Sequence, residues 1–163
     1  METWPHGQVS TNIGKINKTL RLRYKFVTLS KVIINSSMIL LEDILGVFKK
    51  GGVVAYATET CYGFACDIFS KKALAKLFQL KRMAATKPIS ILVGSLEEAK
   101  KYGHFSKVAL QLAKKYWPGP LTIVVKRKKT LPSFLNPHCK TIGIRVPGDK
   151  FSRELVKKFG RPI

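Results

Sequence analysis

Apolar and polar residues follow helical spacing in some parts of the chain and strand spacing in others. Apolar residues recur every three or four positions between Ile39 and Phe48, which predicts an amphipathic helix, and Gly51-Gly52 provides a left-handed stop after it. The apolar run at residues 53–57 then predicts a strand. The polar cluster Thr58-Glu59-Thr60 directly after this strand interrupts the pattern, and it marks either a turn or a functional site.

The alternation of helix and strand patterns continues to the end of the chain. Four further helices are predicted, each with a Ser or Asp that can cap its first turn, at residues 70–80, 95–103, 106–116 and 149–159. Strands are predicted at residues 89–93, 121–125 and 141–146, and residues 161–163 resemble the start of another strand. This order predicts a three-layer α/β domain around a twisted mixed sheet, with a C-terminal part missing.

The first 37 residues differ from the rest of the chain. They contain six Lys or Arg and one acid, Glu2, and they show no sustained helical or alternating pattern. We expect a basic N-terminal arm that is disordered or not part of the domain, with residues 38–163 as the domain. A weak likeness to an organellar transit peptide is the alternative.

The charge of the whole chain is strongly positive. Thirty Lys and Arg against nine Asp and Glu give a formal net charge of +21 at pH 7, which favours anionic partners such as RNA, nucleotides or phosphorylated substrates. The basic residues are spread along the chain, as is typical of helix ends and solvated faces, so charge does not choose among these partners. No run of 18 apolar residues and no signal-peptide pattern occurs, and a cytoplasmic protein is expected.

The cysteines give little evidence for a metal site. Three cysteines are an odd number, and a site built from Cys61, Cys66, His138 and Cys139 lacks the close cysteine pair of common zinc sites. Reduced structural thiols are the preferred interpretation, and no metal ligand is predicted.

Four sequence blocks together carry a family resemblance. The blocks are YATETCYGFACD, LKRMAATKPISILV, WPGPLTIVV and KTIGIRVPGD. In this order and at this spacing they resemble the YrdC/YciO-type family, whose best-known members are threonylcarbamoyl-AMP synthases. The resemblance covers about residues 38–163, and it implies a twisted α/β sheet around a positively charged cavity.

The resemblance also implies a reaction. L-threonine, bicarbonate and ATP with Mg²⁺ would be substrates, threonylcarbamoyl-adenylate and pyrophosphate would be products, and no tightly bound cofactor is expected. A partner complex would transfer the threonylcarbamoyl group to an adenosine of tRNA, giving the t6A modification. Such an enzyme depends on positioning its reactants and on cations that stabilise phosphate charge, so no acid or base residue is assigned.

The resemblance assigns two residues to threonine. Thr60 matches the position whose hydroxyl contacts threonine, although a hydroxyl that satisfies a turn is the structural alternative. Arg145 matches the arginine that pairs with the threonine carboxylate. An arginine in an apolar strand needs a partner; a bidentate carboxylate of the ligand would serve, and a structural ion pair with Glu59 or Asp67 is the alternative.

Three further residues are assigned to ATP by the resemblance: Lys81, Lys87 and Thr141. Lys81 would grip the triphosphate as the first residue of a Lys-x-Arg pair, although a lysine at a helix C-terminus also complements the helix dipole. Gly119 and Pro120 are expected to form a rigid turn.

The chain departs from the family pattern in three places. Met83 stands where the second cation of the Lys-x-Arg pair is expected, Ala57 replaces a proline, and the Ser-Ala-Asn segment expected after residues 162–163 is absent. These departures keep an alternative open, namely a non-catalytic YciO-like protein that binds RNA, including double-stranded RNA, or a nucleotide through its basic concave surface.

Overall fold

The computed structural model describes residues 41–163. The expectations for residues 1–37 and for the first turn of the first helix lie outside the described residues. The helices of the described part are α1 Leu41–Lys49, α2 Lys71–Lys81, α3 Leu96–Tyr102, α4 Lys107–Tyr116 and α5 Lys150–Phe159. Its strands are β1 Val53–Ala57, β2 Tyr62–Cys66, β3 Ile91–Leu92, β4 Gly103–His104, β5 Ile123–Arg127 and β6 Thr141–Arg145.

The predicted caps begin the four later helices. Ser70, Ser95, Ser106 and Asp149 each accept a hydrogen bond from the backbone N–H three residues further on. Each cap satisfies one of the N–H groups that a helix leaves unpaired in its first turn. At the other end of α5, Gly160 has a φ of 78°, a left-handed conformation that glycine adopts without steric cost.

The strands form two sheets, and the larger one is mixed as predicted. β1 and β2 make an antiparallel hairpin. The four-stranded sheet has the order β3-β6-β5-β4, in which β3 and β6 are parallel and the other two pairs are antiparallel. Ile163 exchanges both backbone hydrogen bonds with Leu92 of β3, so the expected strand-like pairing at residues 161–163 is confirmed.

Two strands were not predicted, and one prediction was too long. β2 and the two-residue β4 were absent from the sequence-based expectation, whereas the strand expected at residues 89–93 is restricted to Ile91–Leu92. The strand expected at residues 121–125 begins and ends two residues later, at Ile123–Arg127. No helix of the described residues is long and apolar enough to span a membrane.

The two faces of the larger sheet differ in polarity. On β6, Ile142 and Ile144 point into the apolar core, where both are almost fully buried. Because side chains alternate along a strand, Thr141, Gly143 and Arg145 share the opposite face. This second face carries the candidate site.

Candidate functional site

The turn between β1 and β2 is organised by Thr58. Its hydroxyl accepts hydrogen bonds from the N–H groups of Thr60 and Cys61, each at 3.3 Å, and donates to the Cys61 carbonyl at 2.7 Å. The Thr60 hydroxyl is exposed and lies 3.2 Å from the Thr58 hydroxyl. Thr58 therefore has the structural role in this turn, and Thr60 presents the hydroxyl that a ligand can reach.

Glu59 reaches from the same turn to the loop after β6. Its Oε1 accepts a hydrogen bond from the Gly148 N–H at 2.5 Å and lies 2.8 Å from Nη2 of Arg145. The side chains of Arg145 and Glu59 are only 15% and 22% exposed, so solvent screens this pair less than a surface pair. The ion pair with Glu59, one of the two structural alternatives for Arg145, is thus present.

Arg145 is held on a second side by the turn that precedes β5. Its Nε donates to the Gly119 carbonyl at 3.1 Å, and the Gly119 N–H donates to Val146. Nη2 is buried and has no well-aligned hydrogen-bond acceptor among the described residues, so its attraction to Glu59 is mainly Coulombic. The expectation of a rigid turn at Gly119 agrees with these contacts.

These contacts limit how a ligand carboxylate can bind Arg145. A carboxylate that binds a guanidinium through two nitrogens uses either both Nη atoms or Nε with Nη2. Both arrangements use one N–H of Nη2, the nitrogen that lies 2.8 Å from the Glu59 carboxylate. Because Nη2 carries two N–H groups, a ligand carboxylate would have to share this nitrogen with Glu59, and the ion pair restricts the approach of the ligand without excluding a bidentate contact.

Glu59 keeps its charge over a wide pH range. Burial raises the pKa of its carboxyl, but the hydrogen bond from Gly148 and the guanidinium of Arg145 together lower that pKa to about 2. Glu59 is consequently an anion at every pH at which the protein is expected to work.

One of the residues expected to bind ATP, Lys81, lines a cavity. A cavity of about 300 Å³ is lined by Phe64, Ala65, Cys66, Ile68, Leu77, Lys81, Met83, Pro88, Ile89, Ser90, Leu92 and Ile163. Lys81 is the last residue of α2 and is exposed, and Met83 is half-buried. Lys87 is exposed on the loop before β3, outside this lining.

β6 connects the cavity to Arg145. A Cβ placed on Gly143 would lie 3.1 Å from Cβ of Ser90, which lines the cavity. Thr141 begins the same strand, is exposed and lies on the same face. The structure thus places Thr141 and Arg145 on one face of β6, and Glu59 connects the turn that bears Thr60 to Arg145. Lys81 lines the neighbouring cavity, and Lys87 lies further along the loop.

Asn136 shapes the cavity wall, and sequence reasoning did not identify it. Its buried side chain accepts from the Ile89 N–H at 3.0 Å and donates to the Ile89 carbonyl at 2.8 Å, as a neighbouring strand would. Asn136 has a φ of 47°, a left-handed conformation that asparagine tolerates. The residue type is the only indication of this role that the sequence gives.

A larger groove of about 830 Å³ lies on the loop between β5 and β6. Lys126, Arg127, Lys128, Lys129 and Lys140 line it together with Phe134, which is 37% exposed. Among residues 41–163, no acidic side chain lines this groove. The groove therefore suits an anionic partner.

The cysteines of the described part are unpaired thiols. Burial, and to a lesser extent the neighbouring Asp67, raise the pKa of Cys66 to about 12, so it is not a thiolate at neutral pH. Within residues 41–163 no three His, Cys, Asp or Glu side chains are grouped closely enough to hold a metal ion.

Comparison with known proteins assigns the chain to one family. A family model of Sua5, YciO and YrdC proteins, described as telomere recombination, matches residues 46–163. A threonylcarbamoyl-AMP synthase from Psychromonas ingrahamii is 33% identical over 126 residues, covering 76% of this chain and 66% of that protein.

Solved structures with the same fold are also found. The crystal structure of Pyrococcus abyssi Sua5 complexed with L-threonine superposes with a TM-score of 0.72 at 29% identity, over 81% of this chain and 40% of that one. Escherichia coli YciO superposes with a TM-score of 0.70 at 29% identity, over 78% and 63%. The chain thus spans less than two thirds of the length of each of these relatives.

Proposed function

The chain belongs to the Sua5, YciO and YrdC family, and on that premise we propose that it forms threonylcarbamoyl-adenylate from L-threonine, bicarbonate and ATP. One observation carries the proposal. The turn that bears Thr60 meets the end of β6 through Glu59 and Arg145, beside a cavity lined by Lys81. In this proposal the Thr60 hydroxyl, the Arg145 guanidinium and the Lys81 ammonium group contact the substrates together.

The proposed chemistry joins three substrates. The amino nitrogen of threonine bonds to the carbon of bicarbonate, water leaves, and a carbamate results. A carbamate oxygen then attacks the α-phosphorus of ATP, the bond to the bridging oxygen breaks, and pyrophosphate leaves with the electron pair. Negative charge builds on the phosphate oxygens during this step, so fixed cations lower the barrier.

Threonine is assigned to the Thr60 and Arg145 end of the site. Thr60 offers an exposed hydroxyl to the substrate side chain, and Arg145 offers a cation to its carboxylate. The proposed contact is charge-assisted, and the ligand shares the guanidinium with Glu59. A contact of this kind suits a small amino acid that must also be released.

ATP is assigned to the cavity end of the site. Lys81 on the cavity wall and Lys87 on the adjoining loop would neutralise the triphosphate, and Thr141 would contact the nucleotide. Mg²⁺ would enter with the triphosphate as part of the substrate. Residues 38–163 are the proposed catalytic domain, of which the family model matches residues 46–163.

The proposed product is a mixed anhydride that must reach a tRNA-modifying partner. We place the activity in the cytoplasm, with transfer of the threonylcarbamoyl group to a tRNA adenosine by a separate complex. The excess of positive charge, +21, favours an encounter with tRNA because it attracts phosphate groups.

The test is pyrophosphate release by the purified chain with ATP, Mg²⁺, bicarbonate and L-threonine. The proposal predicts release that stops when either threonine or bicarbonate is omitted. Release that ignores threonine, or none at all under conditions where ATP binds, would contradict it.

The basic groove supports a second candidate, a non-catalytic YciO-like protein that binds RNA or a nucleotide. Its exposed Lys126, Lys129 and Lys140 line a groove that no acidic side chain of the described residues lines. This candidate predicts RNA affinity that falls steeply with salt, without threonine-dependent turnover.

A further inference from the structure

Glu59 joins two turns that are far apart in the sequence. In the β1–β2 turn it is the neighbour of Thr60, whose backbone N–H is fixed by the Thr58 hydroxyl. In the turn between β6 and α5 its carboxylate accepts from Gly148 and lies against Arg145. The two residues assigned to threonine are therefore connected by one carboxylate.

The receiving turn is shaped to fit that carboxylate. A Cβ on Gly148 would lie 3.2 Å from Oε1 of Glu59, a tight contact, and 3.4 Å from Cα of Gly119, so a larger residue would press on the carboxylate. Arg153 donates from Nη1 to the carbonyls of Pro147 and Gly148, which fixes the Gly148 peptide. The conformation of each of the two turns is thus fixed by contacts within that turn, and Glu59 is the link between the turns.

We infer that Glu59 is a positioning residue that holds the Arg145 guanidinium and the Thr60 turn at a fixed separation, so that one small amino acid can contact both. The inference rests on the proposed function, since it concerns the same threonine site. Glu59 itself would touch no substrate. Errors of about 1 Å in such placement can cost about a hundredfold in activity, which is the scale on which a positioning group matters.

The test of this inference removes the negative charge of the Glu59 carboxylate. Glu59→Gln keeps the length of the side chain and an oxygen that can accept a hydrogen bond, but it removes the charge–charge attraction to Arg145 and leaves a weaker acceptor for Gly148. The matched control is Glu154→Gln, because the Glu154 side chain is 54% exposed and, among the described residues, its ion pair is with Lys150 of the same helix, α5, at 3.8 Å. Calorimetric titration with L-threonine and, separately, with ATP gives the two affinities.

The expected result is selective. Glu59→Gln should weaken L-threonine binding about tenfold and leave ATP binding within about twofold, while amide exchange at Gly148 becomes faster. Glu154→Gln should change neither affinity. Gly148→Ala offers a second route if Glu59→Gln folds poorly, because it shifts the carboxylate by a few tenths of an ångström without removing its charge. Gly46→Ala is its control, since no atom of the described residues lies within 4 Å of an added Cβ there.

Each other result overturns the inference. Tighter threonine binding in Glu59→Gln would mean that Glu59 occupies the place of the ligand carboxylate. An equal loss of threonine and ATP affinity with a lower melting temperature would mean a general structural role, and unchanged threonine affinity would mean no role in positioning. Failure of the unmodified chain to bind threonine is different, because it contradicts the proposed function itself.

Discussion

The carboxylate of Glu59 lies 2.8 Å from the guanidinium of Arg145, and this ion pair joins the β1–β2 turn to the end of β6. Both side chains are largely shielded from solvent, and Gly148 adds a hydrogen bond to the same carboxylate oxygen. A ligand that binds Arg145 must therefore share its guanidinium with Glu59. The ion pair also makes the geometry of the site dependent on an ionised carboxylate.

Acid should weaken this contact in a defined pH window. The pKa of Glu59 is lowered from an ordinary 4.5 to about 2, so its contribution to stability is complete above about pH 5 and is lost as the pH falls toward 2. The unmodified protein should therefore melt above Glu59→Gln at pH 7, and the difference should shrink between pH 5 and 2. Melting curves across that range provide the measurement, and a difference independent of pH would contradict this assignment.

Loss of the Asn136 side chain should destabilise the cavity wall. Asn136→Ala leaves the N–H and the carbonyl of Ile89 without partners, which should lower the free energy of unfolding by about 2–4 kcal/mol. Asn136→Gly loses the same hydrogen bonds but adopts a φ of 47° without strain, so it should be less destabilising than alanine. Urea unfolding of both variants tests this, and equal stability of Asn136→Ala and the unmodified chain would refute it.

Replacing Met83 by arginine should strengthen triphosphate binding. Met83 lines the same cavity as Lys81 and is only half-buried, so a guanidinium there can reach the cavity without being buried in the core. Met83→Arg should tighten ATP binding about tenfold, or ~1.4 kcal/mol. Met83→Gln, polar but uncharged, is the control and should bind ATP like the unmodified chain. A stable Met83→Arg protein with unchanged ATP affinity would show that the triphosphate lies elsewhere.

Much of the fold follows from local patterns, and the exceptions have physical causes. The four capped helices and the strands at residues 53–57 and 141–145 were predicted because periodicity and capping are local signals. β2 was missed because Tyr62 and Phe64, on its outer face, are 63% and 43% exposed, so the strand shows no polar alternation. β4 consists of two residues, too few to leave a pattern.

The site residues that belong to a sequence motif could be predicted, whereas the residues that act through contacts between distant parts of the chain could not. The resemblance marked Thr60 and Arg145, and Glu59 entered only as one of two alternative partners. The pairing of Asn136 with Ile89 spans 47 positions and leaves no periodic trace in the sequence. The sequence gives only a weak indication of the contact between Glu59 and Gly148, namely the glycine directly after the Arg-Val-Pro segment.

Titration of L-threonine into the unmodified chain and into Arg145→Ala, with melting curves of both, tests the central claim most directly. If Arg145 binds the threonine carboxylate, the unmodified chain binds L-threonine, and Arg145→Ala loses that binding while remaining folded and keeping most of its ATP affinity. If Arg145 serves only as the partner of Glu59, Arg145→Ala leaves a shielded carboxylate unpaired and unfolds at lower temperature, without a selective loss of threonine affinity. The second result would contradict the account.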